Sequence, residues 1–169
     1  MNLGLLLLRV VTGLLLAAHG LQKTSFRLGG TGLAGGVAEF RDDGFRGGAA
    51  TALAAGLGQL LSGSLFALGA LTPLAAATAV GVMTVAVTVK WAHGPWAPHD
   101  GYEYPGYLVA VPAALAFTGP GGWSVDRVLG HAVWPVTAGA AAVAVGLLAG
   151  LLTRLALHRG QAVAGPAEP

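Results

Sequence analysis

Apolar residues run along this chain in long blocks, and the polar positions between the blocks set its architecture. From Leu3 to Leu21 the only formal charge is Arg9, and from Ala49 to Leu71 there is none. A third block runs from Leu74 to Lys90, a shorter fourth from Pro105 to Phe117 with Pro112 inside it, and a fifth from Ala132 to Leu157. Nineteen helical residues rise about 28 Å, enough to cross the hydrocarbon of a bilayer. The pattern predicts an all-α fold, a polytopic membrane helix bundle of five spans. The fourth span needs Glu103 and Tyr104 in its first turn to approach that length. Thr72-Pro73 predicts a tight turn, because proline suits the first turn of the helix that follows. The first block also has the outline of a secretory signal peptide. Arg9 interrupts it, however, and no small-x-small cleavage site ends it, so a retained span is expected.

Composition sharpens this picture. Of 169 residues, 54% are hydrophobic and only 9% charged, against about 25% charged in a soluble domain, and the mean hydropathy is +0.69. The 28 glycines allow close helix approach. With no cysteine, thiolate, haem-thiolate and cysteine-ligated iron–sulfur chemistry are excluded. Nine basic residues spread this thinly make no nucleic-acid surface. They report topology instead: Lys23, Arg27, Arg41, Arg46, Lys90, Arg154 and Arg159 fall on one side of a five-span chain, and Arg9 and Arg127 towards the other. The positive-inside tendency then places the N-terminus outside and the C-terminus in the cytoplasm. Arg9 should snorkel to a membrane face or turn into the bundle.

The candidate chemistry lies at the few polar positions. His19 and Lys23, four apart, share a helix face; they read either as an interfacial anchor or as part of a ligand or proton site. Gln59 sits mid-span, where an unpaired amide is costly. Gly56 and Gly63 beside it would admit another helix as hydrogen-bonding partner, with Ser62 and Ser64 as weaker partners, or the amide faces a substrate or quinone. Between the third and fourth spans, Trp91, Trp96, Tyr102, Tyr104 and Tyr107 suit an interfacial aromatic belt. Glu103 re-enters the membrane there and is expected to pair with Lys23, Lys90 or His93 at the same depth. His19, His93, His99 and Glu103 are adequate metal ligands in chemistry, but their spacing matches no ligand motif, so no metal site is assigned. There is no Walker loop, dinucleotide fingerprint or nucleophile elbow. Gly29, Gly30, Gly32, Gly35 and Gly36 read as a flexible loop, with a short helix over Leu33 to Phe40 lying on the inner face and Arg41 to Phe45 turning the chain back.

The order of these features resembles the DoxX family of small bacterial membrane proteins. Leu-Leu-Arg-Val-Val-Thr-Gly with His19-Gly20-Leu21-Gln22-Lys23 is similar to its first helix. Gly56-Leu57-Gly58-Gln59-Leu60, running into Leu68-Gly69-Ala70-Leu71-Thr72-Pro73, resembles its second helix and turn. Gly101-Tyr102-Glu103-Tyr104-Pro105 and Ser124-Val125-Asp126 continue the match, which covers roughly residues 3 to 128. Two departures stand out. Gln59 replaces a glutamate common in the family, and the span after His131 is added to a four-helix core. The expected organisation is therefore a DoxX-like core over 1–130, an additional helix over 131–157 and a short disordered tail over 158–169.

The family name comes from the small subunit of an archaeal thiosulfate:quinone oxidoreductase. The resemblance thus implies a redox-linked role for a multi-pass protein of the bacterial cell membrane without fixing a reaction, and the leading expectation is the membrane subunit of a quinone-linked oxidoreductase with a soluble redox partner. His19, Lys23 and Glu103 would be its catalytic groups, and Gln59, His93 and Tyr104 its quinone-binding groups. The contrasting expectation is a non-catalytic anchor or a small-solute carrier, alone or as an oligomer.

Overall fold

The computed structural model describes residues 2–131 and 133–158. Seven α-helices occupy that range: α1 (Asn2–Thr24), α2 (Gly32–Asp42), α3 (Ala49–Leu68), α4 (Thr72–Lys90), α5 (Glu103–Thr118), α6 (Val125–Val128) and α7 (Val136–Leu157). The chain is an all-α bundle, and α1, α3, α4 and α7 are each long and apolar enough to cross a membrane. Their outer faces stay apolar: Leu3, Leu7, Val11 and Leu14 of α1 and Leu148, Leu152 and Leu155 of α7 are exposed, which is the surface that lipid covers. At 16 residues α5 is shorter, about 24 Å at helical rise, yet it runs the height of the bundle. Its start is tied beside the end of α4 by Glu103 N–H to Pro95 O. Beyond its other end, Asp126 N–H reaches Gly69 O beside the start of α4.

The helix boundaries follow local chemistry. Gly69 takes the left-handed conformation that ends α3, and Leu71, also at positive φ, leads into α4 with Pro73 in its first turn. The chain therefore turns at Gly69, before the predicted end of the second span. The expected inner helix is real but longer than Leu33 to Phe40, and Gly35 and Gly36 lie within it rather than in a flexible loop. A Cβ at Gly36 would lie 2.8 Å from the Lys23 carbonyl, so the glycine lets α2 seat directly on the end of α1.

Glycine also makes the tightest joint in the molecule. The antiparallel helices α1 and α3 meet at Gly13 against Gly63 and at Gly20 against Gly56, two pairs each seven residues apart. A Cβ at Gly13 would lie 2.5 Å from Gly63 O and 2.7 Å from Ala67 N. Backbones this close gain dispersion contacts that larger residues forbid. Helix α4 is central, packing against α3, α5 and α7, with Ala75, Ala76, Ala79 and Val80 fully buried. The helix beyond His131 lies parallel to α4. It presents Gly139, Gly146 and Gly150 to α5 and α4, with Cβ positions 2.6, 2.7 and 2.6 Å from the carbonyls of Ala116, Ala77 and Gly81. Its far end is tied back by Arg46 N–H to Leu157 O at 2.9 Å and by the ring of His158 set edge-on to Phe45. The sequence placed His158 in a disordered tail; residues 159–169 of that tail lie outside the described residues.

Candidate functional site

Polar groups gather at both ends of the bundle, and the two gatherings differ in kind. At the end formed by the α3–α4 turn, Arg9 is buried and donates to the carbonyls of Phe66 at 3.3 Å, Ala67 at 3.1 Å and Trp123. It turns into the bundle and caps α3, whose last carbonyls lack helical partners. Asp126 is buried beside it and accepts from Leu71 N–H at 2.7 Å, Thr72 N–H at 3.0 Å, Thr72 Oγ1 at 2.7 Å and Trp134 Nε1 at 2.9 Å. Burial opposes ionisation of its carboxyl. The hydrogen bonds from Thr72, Trp134 and Leu71 outweigh burial and hold it below the usual carboxylate range. Four donors converge on this one carboxylate, so it locks the α3–α4 turn to the α5–α7 connection. The sequence left Arg9 either at a membrane face or turned into the bundle; the second holds, and its partners carried no signal.

At the opposite end, Lys23 binds both carboxylate oxygens of Glu39 at 2.7 Å and lies 5.5 Å from the centre of the Phe40 ring. Lys90 pairs with Asp100, whose carboxyl is held down chiefly by that bond, and His93 Nδ1 lies 3.5 Å from the same carboxylate. These pairs correct the expected cluster. Glu103 is exposed and makes no ion pair among the described residues, because Lys23, Lys90 and His93 all have nearer acids on α2 and in the 91–102 connection. His19 stands apart from Lys23. Its Nδ1 donates to Leu15 O at 2.9 Å, and its ring packs 5.2 Å from Tyr104, whose hydroxyl lies 3.5 Å from Nδ1. Trp91 and Trp96 are exposed, and Tyr102 stacks on Trp91, as an interfacial belt requires. Among the described residues no three His, Asp or Glu side chains gather as metal ligands would.

Between these ends is a cavity of about 300 Å³. Thr51, Ala54, Ala55 and Gln59 of α3 form one wall and Ala149, Thr153 and Leu157 of α7 the other. Its floor is α4, from Ala77 through Gly81, Val82, Val85 and Ala86 to Val89, and Lys23, Glu39, Asp43 and Lys90 stand at its rim. Burial and the neighbouring Glu39 raise the Asp43 carboxyl, against the pull of Lys90 and Lys23. Gln59 is only 4% exposed and its Oε1 has no partner. The expected serine partners bond elsewhere, Ser62 to the Gln59 carbonyl and Ser64 to that of Leu60. Lys23 packs at the level of Gly56, and Gln59 at the level of Gly20. Their Cβ atoms thus differ in depth by three residues, about 4.5 Å. Of the six residues the sequence nominated, the cavity brings together Lys23 and Gln59; His19, His93, Glu103 and Tyr104 lie outside it.

A helical bundle with four lipid-length apolar helices defines a multi-pass membrane protein. Compared with known families, the chain matches the DoxX family model over residues 4–94, just over half its length, and it belongs to the DoxX family. The matched region covers α1 through α4 and ends before α5. No curated protein and no solved structure matches the chain.

Proposed function

We propose that this protein is the membrane subunit of a quinone-linked oxidoreductase in the bacterial cell membrane, holding a quinone head group between Lys23 and Gln59. The supporting observation is the cavity itself, with apolar walls and, among its lining residues, Gln59, whose buried Oε1 lacks a protein partner. An unpaired buried amide costs free energy, and a ligand that bonds it repays that cost only when bound. A carboxamide serves both redox forms: its Nε2 donates to a quinone carbonyl, and its Oε1 accepts from a quinol hydroxyl. Glu39 occupies two of the three Lys23 protons, leaving one for the second oxygen of a ring that spans the depth between the two side chains. Electrons would come from a soluble partner. Its docking face would be the basic end, which on this reading lies in the cytoplasm.

The carrier reading draws on Gln59 as well, because an amide cannot exchange protons as the family's glutamate could. Extraction separates the two. Quinone near stoichiometry with the purified protein supports the oxidoreductase, whereas a quinone-free protein retaining another solute supports the carrier.

Gln59→Leu should abolish quinone retention while leaving the melting temperature in detergent unchanged or up to a few degrees higher, since it removes an unsatisfied polar group. A clear drop in melting temperature would show that the amide holds helices together. For orientation, a cysteine placed at Gly35 should resist impermeant maleimide added to intact cells and react after permeabilisation. Labelling from outside would reverse the assignment.

A further inference from the structure

The walls of the cavity do not close. Helices α3 and α7 both pack on α4 but barely touch each other. Ala54 on one side and Ala149 and Thr153 on the other are exposed, and between them Thr78, Val82 and Ala86 of α4 are only half-buried. This opening lies along the length of membrane-spanning helices, so it faces lipid. The end of the cavity towards water is roofed instead. Phe45 is buried there, its ring set edge-on to Phe40 at 5.7 Å and to His158 at 5.3 Å, with the Arg154 guanidinium 5.8 Å from its centre. Arg46 N–H bonds Leu157 O, strapping the α2–α3 connection across to α7.

We propose that the cavity is loaded sideways from the bilayer between α3 and α7, by an amphiphile whose hydrogen-bonding ring lies at Gln59 and whose apolar tail leaves past Ala54 and Ala149 into lipid. This rests on the quinone reading and adds the route and the tail. The helix beyond the family-matched region thereby gains a role. It supplies the second wall, turning an open α3–α4 face into a pocket. The small residues along the opening leave room for an apolar tail. Leucines at those places would fill it. Gln59, at the inner end of the cavity and with its Oε1 unpartnered, fixes which end of the amphiphile goes in first.

The test uses the full-length protein in bilayer nanodiscs with a benzoquinone carrying a diazirine on the first carbons of a ten-carbon tail. Illumination followed by peptide mass spectrometry should place the label on α3 and α7 around Ala54, Ala149 and Thr153, and an excess of the unmodified quinone should compete it away. Ala149→Trp, whose new side chain would fill the exposed gap without entering the core, should cut that labelling about tenfold at an unchanged melting temperature. The same ring bearing a methyl group in place of the tail should still protect the site from labelling in the wild-type protein. Competed label on Glu39 to Phe45 would place the tail at the aqueous end and overturn sideways loading while leaving the quinone reading intact. Labelling unaffected by Ala149→Trp would also overturn it. Absence of any competed label, together with phospholipid as the only molecule extracted, would refute the quinone reading itself.

Discussion

Asp126→Ala should lower the stability of the folded protein by about 3–5 kcal/mol, the cost of removing the partner from several buried donors at once. The carboxylate serves Leu71 N–H, both donors of Thr72 and the Trp134 indole. The two Thr72 donors are buried and those of Leu71 and Trp134 part-buried, and Arg9 loses its neighbouring negative charge. At the usual entropy of unfolding for a chain of this size, the loss is a fall of about 10 °C in melting temperature. Asp126→Asn should recover part of it, because one amide oxygen still accepts while its NH2 meets other donors. The pH dependence follows from the sign of the shift. A carboxyl lowered in the folded state stabilises above its unfolded pKa, about 3.9, and that contribution is lost as pH falls through the lower folded value. The wild-type melting temperature should therefore fall below about pH 4, and the fall should be shallower in the Asn variant. A melting curve for Asp126→Ala that overlays the wild type would show that the turn is held by other contacts.

The second large effect is steric. Gly13→Leu, or Gly63→Leu on the facing helix, should prevent α1 and α3 from docking, because even a Cβ at Gly13 meets backbone atoms at 2.5 and 2.7 Å. Overpacking of an adaptable core costs about 1–3 kcal/mol. Here the obstacle is backbone on both sides, so the expected result is loss of monodisperse protein from detergent extracts. Gly4→Leu is the matched control, since no atom beyond its own chain neighbours and local helix backbone lies within 4 Å of its Cβ position, and it should behave as wild type in size-exclusion chromatography. Gly146→Leu and Gly150→Leu should detach α7 from α4 by the same mechanism, leaving the α1–α5 bundle intact.

Four of the five expected spans, α1, α3, α4 and α7, were legible in the sequence because a bilayer imposes length and apolarity on each helix separately. Their pairing was less so. Gly56 and Gly63 announced a close approach, but nothing in the run of residues named Gly20 and Gly13 as the facing surface. Arg9 announced a need for partners, yet those partners are mostly backbone carbonyls, which carry no side-chain signature. Ser124-Val125-Asp126 was noticed only as a resemblance; an acid beside a serine cap, at the same end of the bundle as a lone arginine, was the available signal.

The expected pairing of Glu103 fails for a physical reason. Equal membrane depth placed Glu103 with Lys23, but depth says nothing about position around the bundle. Glu39 reaches Lys23 because Gly36 lets α2 rest on the end of α1. Gln59 was recognised as costly and left between two partners, a helix and a ligand. A cavity depends on the spacing of three helices, which no single segment encodes.

The most direct measurement is infrared difference spectroscopy of the protein in bilayers with carbonyl-13C-labelled benzoquinone. Wild-type protein should shift the labelled carbonyl bands to lower frequency relative to quinone in empty bilayers, as hydrogen bonding does, and Gln59→Leu, which loses the quinone, should return both carbonyls to their lipid position. Bands in the wild type that coincide with those of quinone in empty bilayers would contradict a quinone held at Gln59.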